Sequence, residues 1–161
     1  MMVGIAEFAV VRDQAVILAT SPLGAGMGVA IHDPVARVSG LLHSMLPDSS
    51  IDTQRAAVRP GMFLDTGLAA LLEAAVQQHA TEANLRVYAA GGGRIMDDGA
   101  LFNLGGRNHE VLLELLAKRG LKLQAGSIGG LVNRTMQLDA ATGAVQVRVS
   151  GHSEATHLCK P

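Results

Sequence analysis

The sequence predicts an α+β domain in which helices pack against a β-sheet. Short strand-like segments dominate the first third of the chain, two segments with helical spacing follow, and two further strands end the pattern. The 161 residues, of which 48% are hydrophobic and 17% charged, suffice for one domain with its own core. Short strands combined with a few helices are typical of layered architectures. We expect one domain over residues 1–151 and a flexible tail over residues 152–161.

The first third of the chain contains four apolar segments bounded by turn residues. They are residues 5–11, 15–20, 27–31 and 37–46. In the last of these, alternation puts Leu41, His43 and Met45 on one face of a strand. The uncharged run over residues 14–31 approaches the length of a membrane span, but Pro22 and three glycines interrupt it. We therefore interpret this run as two strands around a turn.

The rest of the chain predicts two helices and three more strands. Pro60 suits the first turn of a helix whose apolar residues recur at helical spacing. Asn108 is the predicted N-cap of the second helix, and Gly120 is its predicted end. The polar stretch before Pro60 is expected to be a loop. The further strands are expected at residues 85–90, 134–138 and 145–149.

Composition argues against several classes of function. The net charge is −1, Trp is absent, and one Tyr and three Phe offer little surface for stacking bases, so we expect no nucleic-acid partner. The single cysteine, Cys159, excludes an intramolecular disulfide and fits a reducing compartment. No basic segment precedes an apolar stretch at the N-terminus, as a secretory signal would require. We expect a cytoplasmic protein that is not inserted in a membrane.

The glycine-rich segments do not predict a cofactor site. The glycines at 24, 26 and 28 are followed by Val29 and by no predicted helix, so they fail as a dinucleotide-binding motif. The triple glycine at 91–93 could cradle an anion, but the Lys-Ser/Thr pair of a phosphate loop is missing. We therefore expect no cofactor and no metal.

Several ordered blocks of the sequence resemble one family. Thr20 precedes the turn Leu23-Gly24-Ala25-Gly26, and His43 precedes Met45-Leu46-Pro47. The further blocks are Pro60-Gly61-Met62-Phe63, Ala90-Gly91-Gly92-Gly93 with Met96, Leu104-Gly105-Gly106-Arg107-Asn108, Gly129-Gly130 with Arg134, and Thr142-Gly143. This series resembles the chemoreceptor glutamine deamidase (CheD) family over about residues 3–150. The resemblance implies a layered α/β/β sandwich, in the same broad fold as certain bacterial toxin deamidases.

The resemblance also implies a catalytic site that lacks its nucleophile. In the family the turn reads Leu-Gly-Ser-Cys, with the Cys as nucleophile, and here Ala25 and Gly26 stand in place of the Ser and Cys. Carried across, His43 is the base, Thr20 orients it, and Gly26 occupies the position of the missing Cys. The spacing from Gly26 to His43 matches the family without gaps, so no shift of alignment restores the thiol. Attack on an amide needs a strong nucleophile, a base and donors for the oxyanion.

Alternatives to this interpretation remain open. Cys159 could fold back to the site, or Ser21, Ser44 or Thr20 could act as a hydroxyl nucleophile with His43. His43 could equally be a hydrogen-bonded core histidine and Thr20 an ordinary strand-end residue, while the glycines could mark a bulge. Deliberate replacement of a cysteine would more often leave Ala or Ser, so we favour a natural loss.

The functional expectation follows from the resemblance. Active relatives convert glutamines of methyl-accepting chemoreceptors to glutamates and bind a CheC-type phosphatase. We expect a catalytically impaired relative that binds the cytoplasmic helices of chemoreceptors, or this phosphatase; the alternative is an active deamidase with a displaced nucleophile. A reactive sulfur or hydroxyl within hydrogen-bonding reach of the His43 imidazole would overturn the case for a protein that acts by binding. Gly26→Cys is expected to give partial activity at best, on the premise that Gly26 uses backbone angles that Cys tolerates poorly.

Overall fold

The computed structural model describes residues 1–94 and 103–161, and Met96 lies outside the described residues. The strands are β1 (Met2–Val3), β2 (Glu7–Arg12), β3 (Ile17–Thr20), β4 (Met27–Asp33), β5 (Val38–Ser44), β6 (Arg86–Gly91), β7 (Leu123–Ile128), β8 (Arg134–Asp139), β9 (Val145–Val149) and β10 (Ala155–Cys159). The α-helices are α1 (Thr53–Val58), α2 (Leu64–Gln77) and α3 (Leu104–Lys118). Short 3₁₀ turns lie at Ser49–Ile51, Pro60–Met62 and Glu82–Asn84.

The strands form two five-stranded sheets. The inner sheet has the order β2-β5-β4-β6-β7, and the outer sheet has the order β1-β3-β8-β9-β10. One cluster of buried side chains joins the inner sheet to α2 and α3, and a second joins the inner sheet to the outer sheet. The layers therefore run from helices to inner sheet to outer sheet, and the predicted α+β sandwich is confirmed.

The inner sheet is buried on both faces, and this explains the sequence of its central strands. Every residue of β4 and β5 is buried. Leu42 packs towards the helices while its neighbour Leu41 packs towards the outer sheet. Successive side chains of a strand point to opposite faces, so both faces of these strands are apolar. The central pair is also antiparallel, with Met27 opposite Ser44 at one end and Asp33 opposite Val38 at the other.

Several local predictions differ from the structure. Helix α3 begins at Leu104, and its N-cap is Asn103, whose side chain accepts a hydrogen bond from the Gly106 amide at 3.3 Å. The prediction that Asn108 caps this helix is wrong, because Asn108 lies fully buried in the second turn. The polar stretch before Pro60 contains α1, which the Asp52 side chain caps.

The C-terminal segment also differs from its prediction. Residues 155–159, expected to belong to a flexible tail, form β10, which pairs antiparallel with β9. The sequence pattern does not predict strand β7 either, which lies at one edge of the inner sheet. By contrast, residues 14–31 do contain two strands around a turn, β3 and β4, as predicted. Among the described residues, no helix has the length and apolar character needed to cross a membrane.

Candidate functional site

The residues singled out by the sequence meet where the chain crosses from one sheet to the other. Strand β3 ends at Thr20 in the outer sheet, and β4 begins at Met27 in the inner sheet, so residues 21–26 form the crossing. Strand β5 lies beside β4, with His43 opposite Gly28 in the register. Thr20, Gly26 and His43 therefore lie on segments that meet at one end of the sandwich. The Thr20 hydroxyl nevertheless contacts the Met136 amide, and the hydroxyl at the His43 ring is that of Ser21.

The loop at 91–93 holds the backbone of this crossing turn. The Gly92 amide donates to the Gly26 carbonyl and the Gly93 amide donates to the Gly24 carbonyl, each at 2.9 Å. Gly91 has φ +120°, and a Cβ there would collide with the Gly26 carbonyl oxygen. The triple glycine is thus explained by close approach of two backbones, since two of its amides are already used by the turn.

Two asparagine side chains complete the support of the turn. Asn133 Oδ1 accepts the Gly24 amide proton at 2.9 Å. Asn108 Nδ2 donates to the Ala25 carbonyl at 2.9 Å and to the Met45 carbonyl at 3.0 Å. Together with the glycine loop, these contacts give a partner to the carbonyls of all three residues from Gly24 to Gly26. The turn is consequently held from several directions.

The backbone around position 26 leaves no room for a side chain. A Cβ built on Gly26 would lie 2.6 Å from the Ser44 carbonyl oxygen and 3.0 Å from the Leu23 carbonyl oxygen. Gly26 is not among the glycines with positive φ, so the premise that its backbone angles disfavour Cys is wrong. The obstacle is steric, because both opposing atoms belong to the backbone and cannot rotate away.

His43 is fully buried, and one of its two ring nitrogens has a hydrogen-bond partner among the described residues. Its Nδ1 lies 3.2 Å from Ser21 Oγ, while Nε2 is buried without a hydrogen-bond partner. Burial lowers the pKa of His43 below its ordinary value, and the nearby Val3 carbonyl and Glu7 carboxylate oppose that shift. The imidazole is therefore biased towards its neutral form.

The other candidate nucleophiles have different partners. Thr20 Oγ1 accepts the Met136 amide proton at 3.0 Å, and Ser44 Oγ donates to the Met62 carbonyl at 3.2 Å. The C-terminal segment does fold back, but onto β9, where Cys159 Sγ contacts the Lys160 carbonyl at 3.4 Å. In the described part of the chain, the hydroxyl that reaches the His43 ring is that of Ser21. A hydroxyl thus lies within hydrogen-bonding distance of the imidazole, and its reactivity decides between a binding role and an enzyme.

A cleft of about 360 Å³ opens beside the turn. Its lining includes residues 22–25 of the crossing turn, Met45, Asn133 and Leu104 at the start of α3. Within residues 1–94 and 103–161, no group of three or more His, Cys, Asp or Glu side chains is placed to hold a metal ion. The cleft is thus a mainly apolar groove with amide groups on its rim.

Unsatisfied polar groups concentrate at this site. Among the described residues, the buried side-chain nitrogen and oxygen atoms without a partner are His43 Nε2 and Asn108 Oδ1. Such groups are rare in folded proteins because desolvation without a hydrogen bond is costly. Both belong to residues that flank the turn, which favours a functional site over an ordinary core.

Sequence reasoning missed the role of Asn108 and Asn133. Asn108 carried a signal, since it closes the Leu104–Asn108 block on which the family resemblance partly rests, but a helix cap explained it equally well. Asn133 carried no signal beyond its place before Arg134. Their contacts with the turn span 83 and 109 residues of sequence, and local patterns do not report such distances.

Comparison with known proteins agrees with the family resemblance. The family model "CheD chemotactic sensory transduction" matches residues 45–149. The probable chemoreceptor glutamine deamidase CheD of Solibacter usitatus is 39% identical over 150 residues, covering 93% of this chain and 89% of the relative. The chemoreceptor glutamine deamidase CheD of Thermotoga maritima is 35% identical over 157 residues, covering 98% and 96%. This chain belongs to the CheD family of chemotaxis proteins.

Proposed function

We propose that this chain is a CheD-family protein with impaired deamidase chemistry that acts in the cytoplasm by binding. Its partners are the cytoplasmic helices of methyl-accepting chemoreceptors, or a CheC-type phosphatase. The relatives described above are named as a probable chemoreceptor glutamine deamidase and a chemoreceptor glutamine deamidase, which supports a receptor segment as the ligand of the cleft. Binding requires a complementary surface and does not require a nucleophile.

One observation carries this proposal. The Ser44 carbonyl oxygen lies 2.6 Å from where the Cβ of any residue at position 26 would be. A thiol at this position would require either the turn or the end of β5 to move. The contacts that support the turn are nevertheless present, and a cleft lies beside it, and this combination favours a binding role over amide hydrolysis.

The test is a binding measurement with a variant that fills the cleft. Purified protein is titrated with a receptor cytoplasmic fragment and, separately, with the phosphatase. Ala25→Arg places a long side chain in the cleft and is expected to abolish binding. Val35→Arg is the matched control, because Val35 is 77% exposed in the hairpin at the opposite end of β4 and β5. Absence of binding by the unmodified protein to both partners would contradict the proposal.

A second candidate function is deamidation with Ser21 as the nucleophile, favoured by the 3.2 Å contact with His43 Nδ1. Ser21 Oγ would attack the amide carbon of a glutamine, its proton would pass through His43 to the departing ammonia, and water would hydrolyse the resulting ester to glutamate. A hydroxyl needs a well-supported base for this step. Protonating Nδ1 would leave a buried cation whose Nε2 has no partner, so we rank this function second.

Mass spectrometry of receptor peptides separates the two candidates. Conversion of glutamine to glutamate that disappears in both Ser21→Ala and His43→Ala would support the enzyme. Ser44→Ala is the control, since its hydroxyl is bound to the Met62 carbonyl. Unchanged glutamines after incubation with the unmodified protein would rule out the second candidate.

A further inference from the structure

Asn108 contacts both segments that form one side of the cleft. It lies fully buried in the second turn of α3, and its Nδ2 donates to the carbonyls of Ala25 and Met45. Both of these residues line the cleft, Ala25 from the crossing turn and Met45 from the segment after β5. One side chain thus connects two backbone segments that share no strand pairing at these residues.

The carboxamide is suited to this position by its two donors on one nitrogen. Each proton of the amide group serves one carbonyl, so the spacing of the two acceptors follows from the geometry of the group. An aspartate would present oxygen to two carbonyl oxygens, and an aliphatic residue would leave both carbonyls without this donor. No smaller polar side chain offers two protons from one atom in the same plane.

Asn108 also lowers the stability of the helix compared with an apolar residue at the same position. Asn is a poorer helix former than Leu, and Asn108 Oδ1 is buried without a partner. One turn further along the same face, Leu112 is equally buried and belongs to the core. A leucine at 108 would satisfy the helix, but it would not hold Ala25 and Met45.

We infer that Asn108 is a positioning residue that sets the separation of the Ala25 and Met45 segments, and with it the shape of the cleft and the line of the turn at position 26. It acts on a ligand through these two carbonyls and does not itself line the cleft. Its effect on ligand affinity rests on the proposed binding function, whereas its effect on the turn does not.

The experiment compares Asn108→Asp with Leu112→Ala in the full chain. Leu112→Ala removes a core side chain from the same face of α3 and lowers stability, and the leucine side chain makes no hydrogen bond to the turn. Amide resonances and hydrogen exchange are recorded for Gly92 and Gly93, whose protons go to the turn carbonyls. We expect Asn108→Asp to shift these resonances and to speed their exchange about tenfold, whereas Leu112→Ala leaves the resonances in place. If Asn108→Asp does not fold, Asn108→Ala removes the same donors without adding charge.

Affinity for the receptor fragment gives the second readout. Below the unfolding temperature of both variants, Asn108→Asp is expected to weaken binding about tenfold while Leu112→Ala changes it less than about twofold. Unshifted glycine resonances in Asn108→Asp, or equal loss of affinity in both variants, would overturn the inference. If the unmodified protein binds no partner, the proposed function fails, and the resonances alone still decide the role of Asn108.

Discussion

Two buried histidines lie on neighbouring strands of the inner sheet, and each places Nδ1 against a serine hydroxyl. His32, near the end of β4, contacts Ser39 at 2.8 Å, and His43, near the end of β5, contacts Ser21 at 3.2 Å. Burial lowers the pKa of both rings. The sequence around each residue predicts the same thing, a polar residue in an apolar strand.

The hydrogen bonds around the two histidines differ and indicate different roles. Ser39 donates its proton to the Ala140 carbonyl at 3.2 Å, so it accepts from His32, and this assigns the proton of the neutral ring to Nδ1. The ring of His32 also packs against Gly143 in the turn between β8 and β9. His43 has no such chain of bonds, because Nε2 has no partner among the described residues and the contact with Ser21 does not fix which of the two groups donates the proton. The complete hydrogen-bond chain from His32 through Ser39 to Ala140 is typical of a structural histidine. The incomplete hydrogen bonding of His43 favours a functional site.

The largest expected effect comes from Gly143→Ala, which tests how tightly His32 is enclosed. The new Cβ would meet the His32 ring, with Nε2 at 2.6 Å, and Gly143 also has φ +75°. Steric overlap and backbone strain together should lower the free energy of unfolding by about 3 kcal/mol in urea denaturation. Gly151→Ala is the control, since it has φ +83° and no atom within 4 Å, and should cost about 1 kcal/mol. Equal losses in the two variants would show that the His32 enclosure is loose.

Replacing each histidine by leucine compares the two networks directly. His32→Leu removes a fully formed chain of hydrogen bonds and should cost about 2 kcal/mol. His43→Leu removes one long contact and also an unpartnered buried nitrogen, so its net effect on stability should stay within about 1 kcal/mol. Urea denaturation of both variants measures this difference. A loss in His43→Leu as large as that in His32→Leu would indicate that His43 is a core residue.

These comparisons show where sequence reasoning succeeds. Periodicity predicted β4, β5, β9 and the apolar face of α2, because in these segments the spacing of apolar residues along the chain determines which side chains are buried. It failed at β10, whose partner β9 cannot be inferred from a short polar segment. It also misplaced the start of α3, where Asn108 was the predicted N-cap although Asn103 caps the helix.

The candidate site came from a different source, the family resemblance, which alone groups Thr20, Gly26 and His43. Membership of the family is confirmed, and the catalytic roles of these residues stay predictions. The contact of Ser21 with His43 was one of three hydroxyl alternatives that the sequence left open. Two features depended on the crossing between sheets and could not be predicted. They are the closure of position 26 by the Ser44 carbonyl and the two bonds from Asn108.

Gly26→Cys tests whether a thiol side chain at position 26 restores deamidase activity. Because the Ser44 carbonyl opposes any Cβ at this position, we expect a loss of about 1–2 kcal/mol in the free energy of unfolding. Any conversion of receptor glutamines, followed by mass spectrometry, should be partial at best. Ala25→Cys is the matched control, since position 25 already carries a Cβ, and it should retain stability and show no conversion. A Gly26→Cys protein of unchanged stability and full activity would show that the turn readily opens.

The smallest expected effect is a dependence of stability on pH that both histidines share. Each has a lower pKa in the folded protein than its ordinary 6.5, so below about pH 6.5 the unfolded chain binds protons that the folded chain does not. The free energy of unfolding should therefore fall as the pH drops from about 7.5 to about 5, and should be insensitive to these two groups at higher pH. Asp33, whose pKa is also lowered, acts only at more acidic pH, near and below its ordinary 3.8.

Comparing His32→Leu with His43→Leu shows how much each histidine contributes to this pH dependence of stability. His32→Leu and His43→Leu should each remove part of the slope of unfolding free energy against pH, and the double variant should remove more than either. Arg86 adds to the lowering of the pKa at His32 while Asp33 opposes it, and the Val3 carbonyl and Glu7 oppose the lowering at His43, so both rings should contribute to the slope. Urea denaturation at several pH values measures each share. An unchanged slope in the double variant would mean that neither ring resists protonation, and the contrast between a closed and an incomplete network would then rest on geometry alone.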